Sequence, residues 1–365
     1  MENEEQFIDT LGDADEVIPF TYSITSYGAD YPVDSLVKRM KNKDILVPSF
    51  EHEEELEEDV DAFQRGYIWP RSKADRFIES LLLGLPVPGI FLVKEDSGRL
   101  LVLDGHQRLR TLHRFYEGTI HGRVYALAGV QERFVGKTYK TLDIEDRRRL
   151  DDSIIHATII KQDEPSEDRS SIYSIFERLN TGGVALQPQE IRMALYHGPF
   201  SSLLRKLNTL PEWRELVGPV SRRLKDIELI LRFFGLLYYR HNYRSPMKEF
   251  LNRYMAANRT LDRQSEEELT SIFTATCETI LGALGKDAFR PERAVNAALV
   301  DSLMVGTGME ILKSGHVDHR RLIEARSSLL KDDDFVDAIS TGTSQKPKVE
   351  LRLKKAIEAI HHKSS

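Results

Sequence analysis

Strand-like patterning in this chain is confined to its first half, and beyond about residue 188 only helical periods are found. That division predicts an α+β region followed by an all-α region. Short apolar runs suited to strands stand at Ile45-Leu-Val-Pro, Gly89–Val93, Leu100–Leu103 and Ile154–Ile160. The middle two are joined by Lys94-Glu-Asp-Ser-Gly-Arg, a turn composition that predicts a hairpin. Helices are expected over Tyr31–Met40, from about Ser72 to Gly84, and over Ser170–Leu179. In the second of these, Phe77, Ile78, Leu81 and Leu82 fall on one face, and Gly84 and Pro86 end the run. Residues 1–30 show no period and read as an acidic tail. The expected organisation is therefore a tail at 1–30, an α+β domain at 31–200 with an acidic insertion near 51–61, and a helical domain at 201–365. Thr341–Lys348 reads as a polar linker before a last helix at Val349–His361.

One cysteine, Cys277, among 365 residues excludes an internal disulfide framework and a thiolate zinc cluster. The longest apolar stretch, Leu81–Val93, is broken by Pro86 and Pro88 and falls short of the roughly 20 residues that span a bilayer. The acidic opening Met1-Glu-Asn-Glu-Glu lacks the apolar core of a signal peptide. A cytoplasmic protein without a membrane partner is expected.

Charge is placed unevenly. Residues 1–62 hold 18 acids and four bases, densest at Glu51-His-Glu-Glu-Glu-Leu-Glu-Glu-Asp. This run reads as a solvated face or as a polyanion mimic that shields a basic surface. Residues 205–260 hold 12 bases and five acids, with Phe233, Phe234, Tyr238, Tyr239 and Tyr243 interleaved. A basic, aromatic stretch suits a phosphate backbone, and Arg222, Arg223 and Lys225 are the candidate DNA contacts. Most of those aromatics lie in Leu229-Ile-Leu-Arg-Phe-Phe-Gly-Leu-Leu-Tyr-Tyr, which reads more readily as a buried helix.

The segment with the clearest chemistry follows the hairpin. Asp104-Gly105-His106-Gln107-Arg108-Leu109-Arg110-Thr111-Leu112 runs from a strand into a helix with an apolar stripe of Leu109, Leu112, Phe115 and Tyr116. Asp104 is expected to cap that helix through its side chain, and Gly105 to permit a sharp turn close to a ligand. Unpartnered N–H groups at the helix start and the positive end of its dipole suit a phosphate. Gln107, Arg110, Thr111 and Arg114 would line the face opposite the leucines. His106 is a candidate proton carrier near neutral pH, although an incidental surface histidine is the plainer reading. Two further segments stand out. Phe63-Gln64-Arg65-Gly66-Tyr67-Ile68-Trp69-Pro70 sets planar polar side chains beside a glycine and a tryptophan. Phe176-Glu177-Arg178-Leu179-Asn180-Thr181-Gly182-Gly183-Val184-Ala185-Leu186 ends a helix, either as plain punctuation or as a turn where backbone donors can approach an anion.

These three segments, in this order, resemble the ParB/sulfiredoxin-like domain family that forms the N-terminal part of GmrSD-type modification-dependent restriction enzymes. The family's Asp-Gly-Gln-Gln-Arg-Leu-Thr-Thr-Leu motif stands here as Asp104–Leu112. Its Gln-Arg…Trp motif is matched by Gln64-Arg65 and Trp69, and its Leu-Asn-x-x-Gly-x-x-Leu pattern by Leu179–Leu186. His106 replaces the motif's first Gln and Arg110 its first Thr. The resemblance covers about residues 31–200. It implies a ParB-like fold that binds a nucleoside triphosphate with magnesium, in some members with hydrolysis or DNA nicking. Asp104, Gln107 and Arg108 would then be catalytic, with Asp104 as the metal ligand. Gln64, Arg65, Gly105, His106, Arg110 and Asn180 would surround the nucleotide.

No His…Asn…His nuclease constellation of the kind that completes full-length GmrSD enzymes is found in residues 200–365. Three readings follow. The first is an NTP-hydrolysing component of a DNA-directed restriction or antiphage system. The second is a switch that holds nucleotide or modified DNA without turnover and recruits a nuclease partner. The third is a DNA-nicking nuclease. A homo-oligomer is compatible with each.

Overall fold

The computed structural model describes residues 8–9, 23–47, 69–120, 122–164, 170–179, 187–221 and 223–361. They fall into two compact units, one within Thr21–Ser166 and Ser174–Ala185, the other within Met1–Phe20, Glu167–Tyr173 and Leu186–Ser365. The first is mixed α and β and the second is helical apart from a two-residue strand pairing, Ile8–Asp9 with Val295–Asn296.

The first unit is built on a five-stranded sheet. Its strands are β1 (Ser23–Pro32), β2 (Ile45–Leu46), β3 (Ile90–Lys94), β4 (Leu100–Asp104) and β5 (Ile154–Glu164), in the spatial order β1-β5-β3-β4-β2. The predicted hairpin is present, with Lys94 opposite Leu100 and Phe91 opposite Asp104. Its turn uses Gly98 at φ +81°, a left-handed conformation that costs glycine little. β3 also pairs in parallel with β5, Ile90 facing Ala157. β1 is an edge strand, where periodicity predicted no element; its outer residues are largely exposed and it is ordered by antiparallel pairing with β5, more than 100 residues away.

Four helices cover one face of this sheet: α1 (Val33–Lys41), α2 (Arg71–Leu82), α3 (His106–Glu117) and α4 (Ile144–Asp152). α1 and α2 each pack against both α3 and α4. α2 turns Ala74, Phe77, Ile78, Leu81 and Leu82 inward and stops before Gly84 at φ +68°. α3 inserts Leu109, Leu112 and Phe115, each fully buried, into a core shared with Ile90, Leu92, Val102 and Ile159. Burial of each such side chain stabilises the unit by roughly 1.5–3 kcal/mol. Val93, Leu101, Leu103 and Ile160 are buried as well, so both faces of the sheet are covered.

α5 (Ser170–Leu179) follows the sheet. The helical unit then holds α6 (Pro188–Leu195), α7 (Pro199–Leu207), α8 (Pro211–Val217), α9 (Lys225–Tyr238), α10 (Met247–Ala257), α11 (Glu266–Leu284), α12 (Ala297–Ser314), α13 (His319–Leu329), α14 (Asp333–Ser340) and α15 (Lys346–Ile360). α6, α7 and α8 each open on proline, whose missing N–H is no loss at the first helical position. α12 is the central helix, packed by α9, α11, α14 and α15. It admits them closely because residues 306 and 308 are glycines; a Cβ at Gly306 would lie 2.8 Å from Ile360 Cδ1. Asp301 on α12 accepts from Arg232 of α9 at 2.7 Å and from Arg352 of α15 at 2.8 Å, all three fully buried. Burial works to raise the Asp301 pKa, but the two guanidinium groups outweigh it and hold the carboxyl below the usual carboxylate range. α15 begins at Lys346, so the linker expected up to Lys348 is shorter than its composition implies.

Candidate functional site

The β4-to-α3 corner turns at a single glycine. Gly105 is buried at φ +98°, ψ 10°, and serves as the N-cap of α3. A Cβ there would collide with Ile90 Cγ2, lie 3.1 Å from Ile90 Cβ and 3.3 Å from Arg108 Nε. The position therefore needs glycine for both its backbone angle and its space. The helix consequently starts without a capping side chain, and its first-turn N–H groups retain their capacity to donate.

Asp104 does not cap α3 as its position predicted. Its Oδ2 instead accepts from Arg108 Nη2 at 2.6 Å, a pair one helical turn apart. The arginine side chain is 12% exposed and the aspartate 40%. The ion pair outcompetes the cap because a charged donor makes the stronger hydrogen bond. With one end of the guanidinium fixed by Asp104, Arg108 Nε is buried without a hydrogen-bond partner among the described residues.

His106 is not a surface residue. It is 7% exposed, and its ring stacks on Phe176 of α5 with centroids 6.0 Å apart and planes 21° apart. Burial, then the positive charges of Arg110 and Arg108, push its pKa down to about 3 against a supporting hydrogen bond at Val102. Burial favours the neutral imidazole near neutral pH, and it is the incidental surface placement that the structure overturns. Gln107 Oε1 accepts from the Trp69 backbone N–H at 3.2 Å. Trp69 meets Phe77 edge to face at 5.6 Å, with Lys73 Nζ 4.8 Å from its indole. Arg110 is half-buried, whereas Thr111, predicted on the open face, is buried.

Gln64, Arg65, Asn180 and the acidic run at 51–61 lie outside the described residues. Trp69 stands five residues after Gln64 and Phe176 four before Asn180, and both contact the first two residues of α3. Phe176 was not marked as functional by the sequence; it reaches the corner by stacking on His106, 70 residues earlier, which no local spacing signals.

Several bases of the stretch at 205–260 are paired internally. Arg232 pairs with Asp301, Arg214 with Asp226 at 2.8 Å, and Arg223 with Glu190 at 3.6 Å. Phe233 and Phe234 are core residues packed with Phe273, in line with the buried-helix reading. Arg222 lies outside the described residues, and Lys225 is half-buried at the start of α9. No group of three His, Cys, Asp or Glu side chains suited to a metal ion occurs among the described residues. No helix among them is long and apolar enough to cross a membrane.

Residues 49–197 match a protein-family model described as the GmrSD restriction endonuclease, N-terminal domain. The matched stretch contains all three motifs, Gln64–Trp69, Asp104–Leu112 and Leu179–Leu186, so the resemblance drawn from them holds over this part of the chain. No curated protein matches the chain.

Proposed function

We propose that a chain carrying a GmrSD-type N-terminal domain at residues 49–197 binds a nucleoside triphosphate at the β4–α3 corner and hydrolyses it as part of a DNA-directed restriction system. The observation that carries this reading is Arg108, a guanidinium largely withdrawn from solvent in the first turn of α3, clamped at one end by Asp104 and with no hydrogen-bond partner at Nε among the described residues. A buried cation with an unused donor beside uncapped helix N–H groups is suited to phosphate oxygens. Asp104 then positions Arg108 before the nucleotide arrives, and Arg110 adds positive charge along the same helix.

Magnesium fits this site as a partner of the nucleotide. Asp104 offers one partly exposed carboxylate, and magnesium is commonly held by one or two carboxylates together with substrate phosphates and water. Bound in that way, the ion would offset phosphate charge. The chain's own residues hold and orient the triphosphate: Arg108 and the first turn of α3 bind it, and Gln107, tied to Trp69, stands beside the first turn.

The test is phosphate release from each nucleoside triphosphate with magnesium, with and without duplex DNA. Release by the wild type, abolished in Arg108→Ala, is expected. Ground-state nucleotide affinity should fall by roughly 10- to 150-fold in that variant, the equivalent of about 1.5–3 kcal/mol for a charge-assisted hydrogen bond. Tight binding without turnover would replace hydrolysis by the switch reading. Neither binding nor release with any nucleotide would reject the site.

A further inference from the structure

A second cationic site lies wholly within the helical unit. The first turns of α6, α9 and α10 converge on one small cavity, lined by Gln189 and Arg192 of α6, Lys225 and Glu228 of α9, and Lys248 of α10, with Arg223 at its edge. Neither Leu224 nor Pro246, which precede α9 and α10, provides a capping side chain. Three helix dipoles thus present their positive ends to the same point.

Helix starts alone would not define a ligand site, but a buried side chain here does. Gln189 is 1% exposed. Its Oε1 accepts from Arg192 Nη1 at 2.9 Å, which fixes the amide, and its Nε2 is buried with no hydrogen-bond partner among the described residues. Arg192 is itself held by Glu228 at 2.8 Å and Asn252 at 2.8 Å, so its position is set by its neighbours. Buried donors are almost always satisfied, and an acceptor placed in the cavity would satisfy this one.

Charge and size narrow the occupant. Four cations, Arg192, Arg223, Lys225 and Lys248, stand against two carboxylates, Glu228 and Glu190. Lys225 forms no ion pair among the described residues. The cavity is about 20 Å³. That exceeds the roughly 10–15 Å³ of one water-sized sphere but is far below the roughly 300–1,000 Å³ of small-molecule pockets. It admits one oxygen of a phosphoryl group, with the rest of the group outside it, and no base or sugar.

We propose that the first turns of α6, α9 and α10 form a second anion site that takes a single phosphoryl group, separate from the nucleotide corner at Arg108. Gln189 Nε2 supplies the donor, and Lys225 and Lys248 supply the charge. The same chemistry would serve a phosphodiester of DNA or free phosphate.

The experiment uses the full chain carrying Arg108→Ala, so that phosphate at the α3 corner does not contribute. Thermal melting is compared in sodium phosphate and in sodium chloride at equal ionic strength. Phosphate is expected to raise the Tm above chloride, and Lys225→Met or Gln189→Leu to abolish that difference while circular dichroism stays unchanged. A labelled duplex followed by fluorescence anisotropy separates the sources. If DNA is the donor, Lys225→Met lowers the slope of log affinity against log salt by about 0.9; if free phosphate is, DNA affinity is unchanged while the Tm effect is lost. Absence of a phosphate-specific rise in the Arg108→Ala chain, or an equal rise in the Lys225→Met and Gln189→Leu variants, overturns the proposal.

Discussion

Gly105→Ala tests the geometry on which the nucleotide corner depends. Two separable costs are expected. An alanine at φ +98° carries the left-handed penalty, roughly 1–2 kcal/mol. Its Cβ also meets Ile90, a 1% exposed residue of the core, and overpacking of that kind costs typically 1–3 kcal/mol. Gly118 supplies the control, because it ends the same helix at φ +83° with nothing within 4 Å of an added Cβ. Gly118→Ala should show the backbone penalty alone. The gain from reduced freedom of the unfolded chain is common to both and cancels in the comparison. Gly105→Ala is therefore expected to cost about 1–3 kcal/mol more than Gly118→Ala. The assay is urea unfolding followed by Trp69 fluorescence, with Trp213→Phe in every variant so that only the sheet unit reports. In an Ile90→Ala background the excess should shrink, since the closest colliding methyl is gone. Equal costs for the two glycine substitutions would refute the tight corner.

Other consequences can be measured on the same protein. His106 is held at a pKa of about 3 against an ordinary 6.5, so below 6.5 the unfolded chain takes up a proton that the folded chain refuses. Stability should fall with pH across that window, by up to about 1.4 kcal/mol per unit, and His106→Gln should flatten the slope in urea titrations. Asp301→Ala leaves Arg232 and Arg352 buried without their shared carboxylate. A loss of about 3–5 kcal/mol is expected from a broken buried pair, seen as early melting of the helical unit by Trp213 fluorescence; a Tm near that of the wild type would argue against the triad.

Much of the architecture was legible in the sequence. The hairpin, α2, α3 and α5 carry strong local periods, and Leu109, Leu112 and Phe115 face the core as their spacing requires. What was not legible depends on partners far along the chain. β1 has little apolar alternation because its outer residues are exposed, and only its long pairing with β5 makes it a strand. Asp104 was misread as a cap because the arginine one turn later competes for the same carboxylate. His106 became a neutral core residue because Phe176, 70 residues away, lies on it. Arg232 looked like part of a cationic surface because the acid that pairs with it, Asp301, stands 69 residues further on.

The central placement of β3 has a mechanical consequence. Ile90 opens a strand that has neighbours on both sides, β4 and β5, so the side chain behind Gly105 is carried by backbone ladders and not by a loop. On the other side of the bend, Gln107 accepts from the Trp69 backbone N–H, so a shift of the start of α3 is felt by the chain entering α2.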